Sequence, residues 1–185
     1  MKHALIGVVV GSARTGSFSK TVAETVMQLM PAGFEMKMLA ITDLPIYNQD
    51  YDAEGATPES YVHFREQVRK CDGYLFVTPE HNRSIPALLK NALDVASRPY
   101  GANVWSGKPG AIVSVSPGAI AGFGANHITR QSLSFLNVYM MQQPEAYVGG
   151  VMDAIGPDGK ITGERSLGFL KTVAESVAAW VKRFQ

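Results

Sequence analysis

Three continuous apolar runs occur along the chain, at residues 4–10, 73–77 and 111–115. Such runs are typical of parallel strands whose two faces are both covered by other elements. Residues 36–39 instead alternate with charged neighbours, which predicts a half-exposed strand at the edge of the sheet. Residues 138–141 are predicted as a fifth strand. The pattern therefore predicts a sheet that is buried in the middle and more exposed at one edge.

Helical periodicity fills the segments between these strands. Helices are predicted over residues 17–30, 58–69, 86–97 and roughly 126–136. A last helix is indicated by apolar residues at helical spacing, namely Leu167, Leu170, Val173, Val177, Trp180, Val181 and Phe184. Alternating strands and helices with short connections predict one α/β domain over residues 1–185. The expected fold is a flavodoxin-like, doubly wound sheet of five parallel strands in the order 2-1-3-4-5, with helices on both faces.

The first loop, residues 11–19, follows the first predicted strand and opens the first helix. Its glycines permit a close backbone approach, and the N-terminus of a helix favours an anion. The side chains that can donate to a terminal phosphate are Ser12, Arg14, Ser17 and Ser19. The lysine of a triphosphate-binding loop is missing, and Ala13 occupies the second glycine position of the dinucleotide fingerprint, so a monophosphate site is predicted. The alternative is that Ser17 only caps the helix and Arg14 is a solvated surface residue.

The second loop, residues 78–86, contains Pro79 near its start and Pro86 at its end. Two prolines stiffen the segment, so its backbone can be held ready for the polar edge of a flat heterocycle, and the Asn82 amide supplies both a donor and an acceptor. A simple connection with Asn82 in a turn explains the same residues equally well. Glu80 is expected to be a lone loop carboxylate without a partner for acid–base work.

The third loop, residues 114–124, is rich in small residues that would let a planar ring lie against the backbone. Glycine-rich connections are common, so this loop indicates little by itself. Together the three loops predict a phosphate site, a polar ring edge and a flat bed, which is the shape of flavin mononucleotide (FMN). The acidic segment 43–59 is predicted as a solvated loop, with a pocket rim as the alternative.

Composition excludes several other functions. Seventeen basic and sixteen acidic residues give a net charge of +1, so no nucleic-acid or membrane partner is expected. The single cysteine, Cys71, excludes an internal disulfide, suits a reducing cytoplasm and is predicted to pack in the core. The first apolar run is too short for a signal peptide or a membrane span. No metal site is expected, because ligand spacing is lacking among the histidines, which are His3, His63, His81 and His127.

The motifs GSxRxxSxS at residues 11–19 and PEHNxSxPxxLKNAxD at residues 79–94 resemble the NAD(P)H-dependent FMN reductase family, in particular its bacterial quinone and chromate reductases. The resemblance extends over nearly the whole chain. It implies a flavodoxin-like fold, tightly held FMN, and NADH or NADPH as the hydride donor. It also implies dimers, often paired into tetramers, with the flavin near a subunit interface.

Residue by residue, the resemblance implies a phosphate-binding set of Ser12, Arg14, Ser17, Phe18 and Ser19. The segment that cradles the isoalloxazine ring would contribute Pro79, Glu80, His81, Asn82 and Ser84. The third flavin loop would contribute Ser116 and Gly118. The chain departs from the family at His81, where tyrosine is usual, and at Ala87, where glycine is usual. Because His81 is smaller and titratable, we expect it to alter substrate preference and assembly, whereas Ala87 at a helix start is expected to be harmless.

The predicted function is an NAD(P)H-dependent FMN reductase that passes electrons to quinones, free flavins, azo compounds or metal oxyanions such as chromate. FMN would perform the chemistry, and no side chain is expected to be an obligatory acid or base. The alternative is a flavodoxin-type electron carrier without a small-molecule substrate, which the balanced charge disfavours. A regulatory domain that has lost the flavin is a third possibility. The expected protein is a cytoplasmic homodimer or homotetramer whose partner is a small-molecule acceptor.

Overall fold

The computed structural model describes residues 3–185, and a parallel β-sheet forms its centre. The strands are β1 (Ala4–Val10), β2 (Phe34–Met38), β3 (Gly73–Pro79), β4 (Pro109–Val115), β5 (Tyr139–Met140) and β6 (Ala146–Val148). The helices are α1 (Phe18–Gln28), α2 (Glu59–Lys70), α3 (Ala87–Ala96), α4 (Phe123–Phe135), α5 (Val151–Ala154) and α6 (Glu164–Lys182). The predicted α/β class is confirmed.

The strand order β2-β1-β3-β4-β5 is the predicted one, but the fifth position of the sheet is shared by two short strands. β5 pairs with the start of β4, where Met140 lies opposite Gly110, and β6 pairs with its end, where Ala146 lies opposite Val113. The chain therefore advances six positions from Met140 to Ala146 while β4 advances three, from Gly110 to Val113. The surplus loops out, and it includes Pro144, which has no N–H to donate to a ladder. β5 confirms the fifth strand predicted at residues 138–141, whereas β6 was not predicted.

Two apolar cores cover the two faces of the sheet. Alternate residues of β3 point to opposite sides, with Leu75 in one core and Tyr74 in the other. The first core contains residues of α1, α5 and α6, and the second contains residues of α2, α3 and α4. Cys71 belongs to the second core and is 2% exposed, as predicted, and burial raises the pKa of its thiol to about 11.

Most residues of the segment 43–59 are exposed, in agreement with the predicted solvated loop, but its backbone is anchored at Pro45 and Tyr47. The side-chain oxygen of Asn91 accepts from the Tyr47 N–H at 2.8 Å, and its amide donates to the Pro45 carbonyl at 2.8 Å. The Tyr61 hydroxyl donates to the same Pro45 carbonyl at 2.9 Å. The Asn91 side chain on α3 thus forms hydrogen bonds with backbone groups of this segment that would otherwise bond to water.

Helix starts follow local signals except at α4. Pro86 directly precedes α3, so Ala87 is the first residue of this helix, as predicted. α4 begins at Phe123, about one turn before the predicted start, after Gly122 in a left-handed conformation with φ 72°. Within residues 3–185, no helix has the length and apolar character needed to cross a bilayer.

Candidate active site

The first, second and third loops leave the same edge of the sheet, because β1, β3 and β4 are adjacent and parallel. Gly11 joins the first two loops, since its N–H donates to the Val77 carbonyl at 2.9 Å. A Cβ at Gly11 would lie 3.2 Å from the Thr78 hydroxyl oxygen and 3.4 Å from Cδ of Pro79. Glycine therefore lets the first loop lie directly against the second.

The first loop ends in a capped helix. Ser17 is 3% exposed, and its hydroxyl oxygen accepts from the Lys20 N–H at 3.3 Å. The alternative that Ser17 caps the helix is thus confirmed, but the cap leaves the hydroxyl hydrogen unused and able to donate to an anion. α1 has no acidic residue in its first turn, so the positive end of its dipole is not neutralised.

Arg14 is exposed beside this helix start, where its Nη1 donates to the Thr15 carbonyl at 3.2 Å. Its guanidinium lies 4.8 Å from the centre of the Phe18 ring, a cation–π distance. Ser12 is half-buried and Ser19 is buried. The first loop and the start of α1 therefore bring together the five residues predicted for the phosphate, namely Ser12, Arg14, Ser17, Phe18 and Ser19.

The second loop contains a two-residue β-turn. His81 and Ser84 exchange two backbone hydrogen bonds of 3.0 and 2.9 Å, and the residues between them, Asn82 and Arg83, have φ of 51° and 65°. This is type I′ geometry, in which asparagine is favoured first and glycine second. A left-handed arginine costs about 1–2 kcal/mol, and strain of this kind clusters at binding sites. Asn82 thus lies in a turn, as the simpler interpretation held, and its exposed side chain remains accessible to a ligand.

Glu80 has two partners, which corrects the expectation of a lone carboxylate. Its Oε1 accepts from Nη1 of Arg83 at 3.1 Å, and its Oε2 accepts from the Ala125 N–H at 3.1 Å. The Glu80 side chain is 12% exposed, whereas that of Arg83 is 70% exposed. The carboxylate therefore links the second loop to the start of α4.

Two hydrogen bonds and the close approach of Gly149 determine the shape of the third loop. The Ser116 hydroxyl oxygen accepts from the Gly118 N–H at 3.1 Å, and the Ala121 N–H donates to the Gly118 carbonyl at 3.1 Å. A Cβ at Gly149 would lie 3.1 Å from the same carbonyl, so β6 closes against this loop. Gly118 itself is exposed, with only Ser116 near its Cβ position. The loop is thus uncrowded at Gly118.

Sequence reasoning missed the polar side chains beneath the third loop. The Ser114 hydroxyl is buried and donates to the Ala121 carbonyl at 2.8 Å, which holds Ala121 in a left-handed conformation with φ 57°. The fully buried Asn126 amide donates to the Ser114 hydroxyl oxygen at 3.4 Å. Polar residues in an apolar strand and a helix interior were the available signal, because buried polar groups need partners.

An aromatic cluster borders the third loop. The rings of Phe123 and His127 have centroids 4.2 Å apart, and the Phe123 and Tyr147 centroids are 5.6 Å apart. His127 Nε2 lies 3.0 Å from the Tyr147 hydroxyl. Burial, and then the hydrogen bond to the Glu145 carboxylate, raise the pKa of Tyr147. Phe123 is 51% exposed, so this cluster forms part of the surface beside the candidate site.

The donor set fits a flavin mononucleotide. The first loop offers hydroxyls, a guanidinium and an unneutralised helix N-terminus, which together suit a phosphate dianion. The second loop fixes backbone groups through a strained turn, and the third loop is exposed and uncrowded at Gly118. The three features lie in the order phosphate, ring edge and ring face along the carboxyl edge of the sheet.

Comparisons with known proteins agree with this geometry. The chain is 52% identical over 177 residues to a quinone reductase of Pseudomonas putida, covering 96% of this chain and 94% of that protein. It is 44% identical over 177 residues to a 2-hydroxy-1,4-benzoquinone reductase of a Burkholderia species, covering 96% of each. Among solved structures, the flavoenzyme NAD(P)H:(acceptor) oxidoreductase FerB of Paracoccus denitrificans is similar, with a TM-score of 0.90, 35% identity and 98% coverage of both chains.

The family model described as NADPH-dependent FMN reductase matches residues 4–153. This range contains all three loops and every predicted site residue. The chain belongs to the NADPH-dependent FMN reductase family and is an oxidoreductase with FMN as its cofactor.

Proposed function

We propose that this protein is an NAD(P)H-dependent quinone reductase whose FMN lies across the first, second and third loops. The observation that carries the proposal is that the capped α1 N-terminus and the strained turn of the second loop follow adjacent parallel strands at the same edge of the sheet. Relatives whose names specify quinones, among them those at 52% and 44% identity, support quinones as the acceptor class. The overall reaction is NAD(P)H + H⁺ + quinone → NAD(P)⁺ + hydroquinone.

The first loop would hold the phosphate of FMN. The unneutralised N-terminus of α1 attracts the dianion, Arg14 adds a charge-assisted donor, and Ser12, Ser17 and Ser19 add hydroxyls. Phe18 keeps the Arg14 guanidinium beside the site through the 4.8 Å contact. These groups bind and orient the cofactor but take no part in electron transfer.

The second and third loops would hold the isoalloxazine ring. Pro79, His81, Asn82 and Ser84 define the backbone that faces the polar ring edge, and Glu80 supports it from beneath. Ser116 and Gly118 supply the flat bed. Bound FMN supplies the two-electron chemistry that links nicotinamide oxidation to quinone reduction. The role of the protein is binding and orientation, and none of these side chains is assigned as an acid or base.

The test is steady-state turnover of the purified yellow protein. We expect it to oxidise NADPH or NADH when 1,4-benzoquinone is added, with no other protein present. Free flavin, an azo dye and chromate are the further acceptors that we propose, each assayed at the same nicotinamide concentration. Nicotinamide oxidation that requires a second redox protein would overturn the proposal in favour of an electron carrier. A colourless protein that binds no added FMN would overturn it altogether.

We also propose that the protein assembles as a homodimer or homotetramer. Large apolar side chains on the surface support this, including Phe123 at 51% exposed and Phe135 at 89% exposed. Light scattering coupled to gel filtration measures the assembly, and a monomeric mass at micromolar concentration would contradict it.

A further inference from the structure

The Glu80 carboxylate lies between the second and third loops. Glu80 follows β3, yet its Oε2 accepts from the N–H of Ala125, which lies 45 positions further along the chain in the first turn of α4. The side chain is nearly buried, at 12% exposed. A charge-assisted bond in such a place is stronger than one at the surface, because less water competes for it.

α4 has no capping group of its own. Gly122 occupies the N-cap position without a side chain, and the first turn contains no acidic residue. The first N–H groups of a helix need acceptors, and its positive dipole end favours a negative charge. Glu80 supplies both from another loop. The second loop therefore supplies the capping group of α4, and the second and third loops cannot move apart without breaking the hydrogen bond between Glu80 and Ala125.

Packing beside this bond is also tight. A Cβ at Gly124 would lie 2.8 Å from the Arg83 carbonyl oxygen and 3.0 Å from Oε2 of Glu80. Only glycine permits the turn of the second loop to approach the start of α4 so closely. The approach and the cap supplied by Glu80 are separate features of the chain, and both fix the same distance between the two loops.

We propose that Glu80 is a positioning residue for the flavin ring, acting as a latch between the second and third loops. The latch consists of Glu80, Gly124 and the N–H of Ala125. It sets the spacing between the backbone that faces the ring edge and the bed beneath the ring. This inference rests on the proposed function, since it assumes that FMN lies across these loops. The phosphate loop is not part of the latch.

Flavin release separates the latch from the phosphate site. Holoprotein loaded with FMN or with riboflavin is diluted, and the free flavin is measured by its fluorescence. We expect Glu80→Ala to lower the affinity for both flavins by the same factor, about tenfold, because loops that are no longer linked must be ordered when the flavin binds. Glu80→Gln keeps an oxygen acceptor for Ala125 and should recover most of the loss. Glu66→Ala, an exposed glutamate on α2, is the matched control and should bind as wild type.

Gly124→Ala tests the latch without removing any hydrogen-bonding group, and it serves if Glu80→Ala fails to fold. Its methyl group pushes the loops apart, so it should also weaken FMN and riboflavin equally. Both variants should shift the midpoint potential of the bound flavin, which a purely structural role would leave unchanged.

Glu80→Ala protein that retains both flavins as wild type overturns the latch. Loss of FMN with riboflavin unchanged also overturns it, because Glu80 would then act at the phosphate end. Wild-type protein that binds neither flavin contradicts the proposed function, whatever the variants do.

Discussion

The two ends of the candidate flavin site are built in different ways. At the phosphate end, Arg14 is exposed, and its hydrogen bond reaches only the adjacent Thr15 carbonyl. At the ring end, Glu80 links the second loop to α4, and the buried Ser114 hydroxyl holds the third loop from beneath. The phosphate end offers charge to a ligand, whereas the ring end is shaped by the protein before any ligand binds. Mutations at the phosphate end should therefore affect FMN alone, whereas mutations at the ring end should affect FMN and riboflavin alike.

Arg14→Ala should produce the largest effect and act on FMN alone. A charge-assisted donor to a phosphate contributes roughly 1.5–3 kcal/mol, so FMN affinity should fall about ten- to a hundredfold. Riboflavin has no phosphate and should bind as before. Flavin titration measures both, with Arg69→Ala, an exposed arginine on α2, as the control. Equal losses for the two flavins would contradict the separation of the two ends.

Ser114→Ala should act on the ring end instead. It leaves the Ala121 carbonyl and the Asn126 amide without their Ser114 partner, which should lower the free energy of unfolding by about 1–2 kcal/mol. The affinities for FMN and for riboflavin should fall by the same factor. Thermal unfolding and flavin titration measure the two effects, and Ser134→Ala, an exposed serine on α4, is the control. A selective loss of FMN would show that the third loop also serves the phosphate.

Arg83→Gly should stabilise the protein by about 0.5–1 kcal/mol. The substitution removes the strain of a non-glycine residue at φ 65° and places glycine, the favoured residue, at the second position of the type I′ turn. This gain should exceed two costs, which are the loss of an exposed ion pair and the larger conformational entropy of the unfolded chain. Ala119→Gly introduces glycine in the third loop at a residue without positive φ, so it should destabilise instead. Urea unfolding compares the two, and the same sign for both would remove the argument for strain.

His81→Tyr should have the smallest effect on flavin affinity, within about twofold, because the side chain is exposed and only its backbone bonds shape the turn. Nicotinamide oxidation should continue, while the relative rates for quinones of different size should shift. Stopped-flow measurement of flavin reduction and reoxidation separates these steps. A hundredfold loss confined to reoxidation would instead assign His81 as a general acid.

Local patterns were sufficient to predict the central strands of the sheet and their order. Apolar runs report burial on both faces, so β1, β3 and β4 and their order followed from the sequence. The additional strand β6 was not predicted, because a looped-out segment containing Pro144 separates it from β5 along the chain. The anchoring of the segment 43–59 was not predicted, because the side chain that satisfies its backbone groups, Asn91, is distant in sequence.

By itself the sequence determined the parallel sheet, the loops at its carboxyl edge and the residue types that suit a phosphate and a flat ring. Those properties depend on short-range periodicity and on the chemistry of adjacent residues, which any single segment carries. Only the tertiary structure decided three contacts. Glu80 caps α4, Gly124 lets the turn of the second loop approach the start of α4, and the Ser114 hydroxyl donates to the Ala121 carbonyl. Each of these contacts joins segments whose distance is set by the packing of the whole sheet, and no local pattern records that distance.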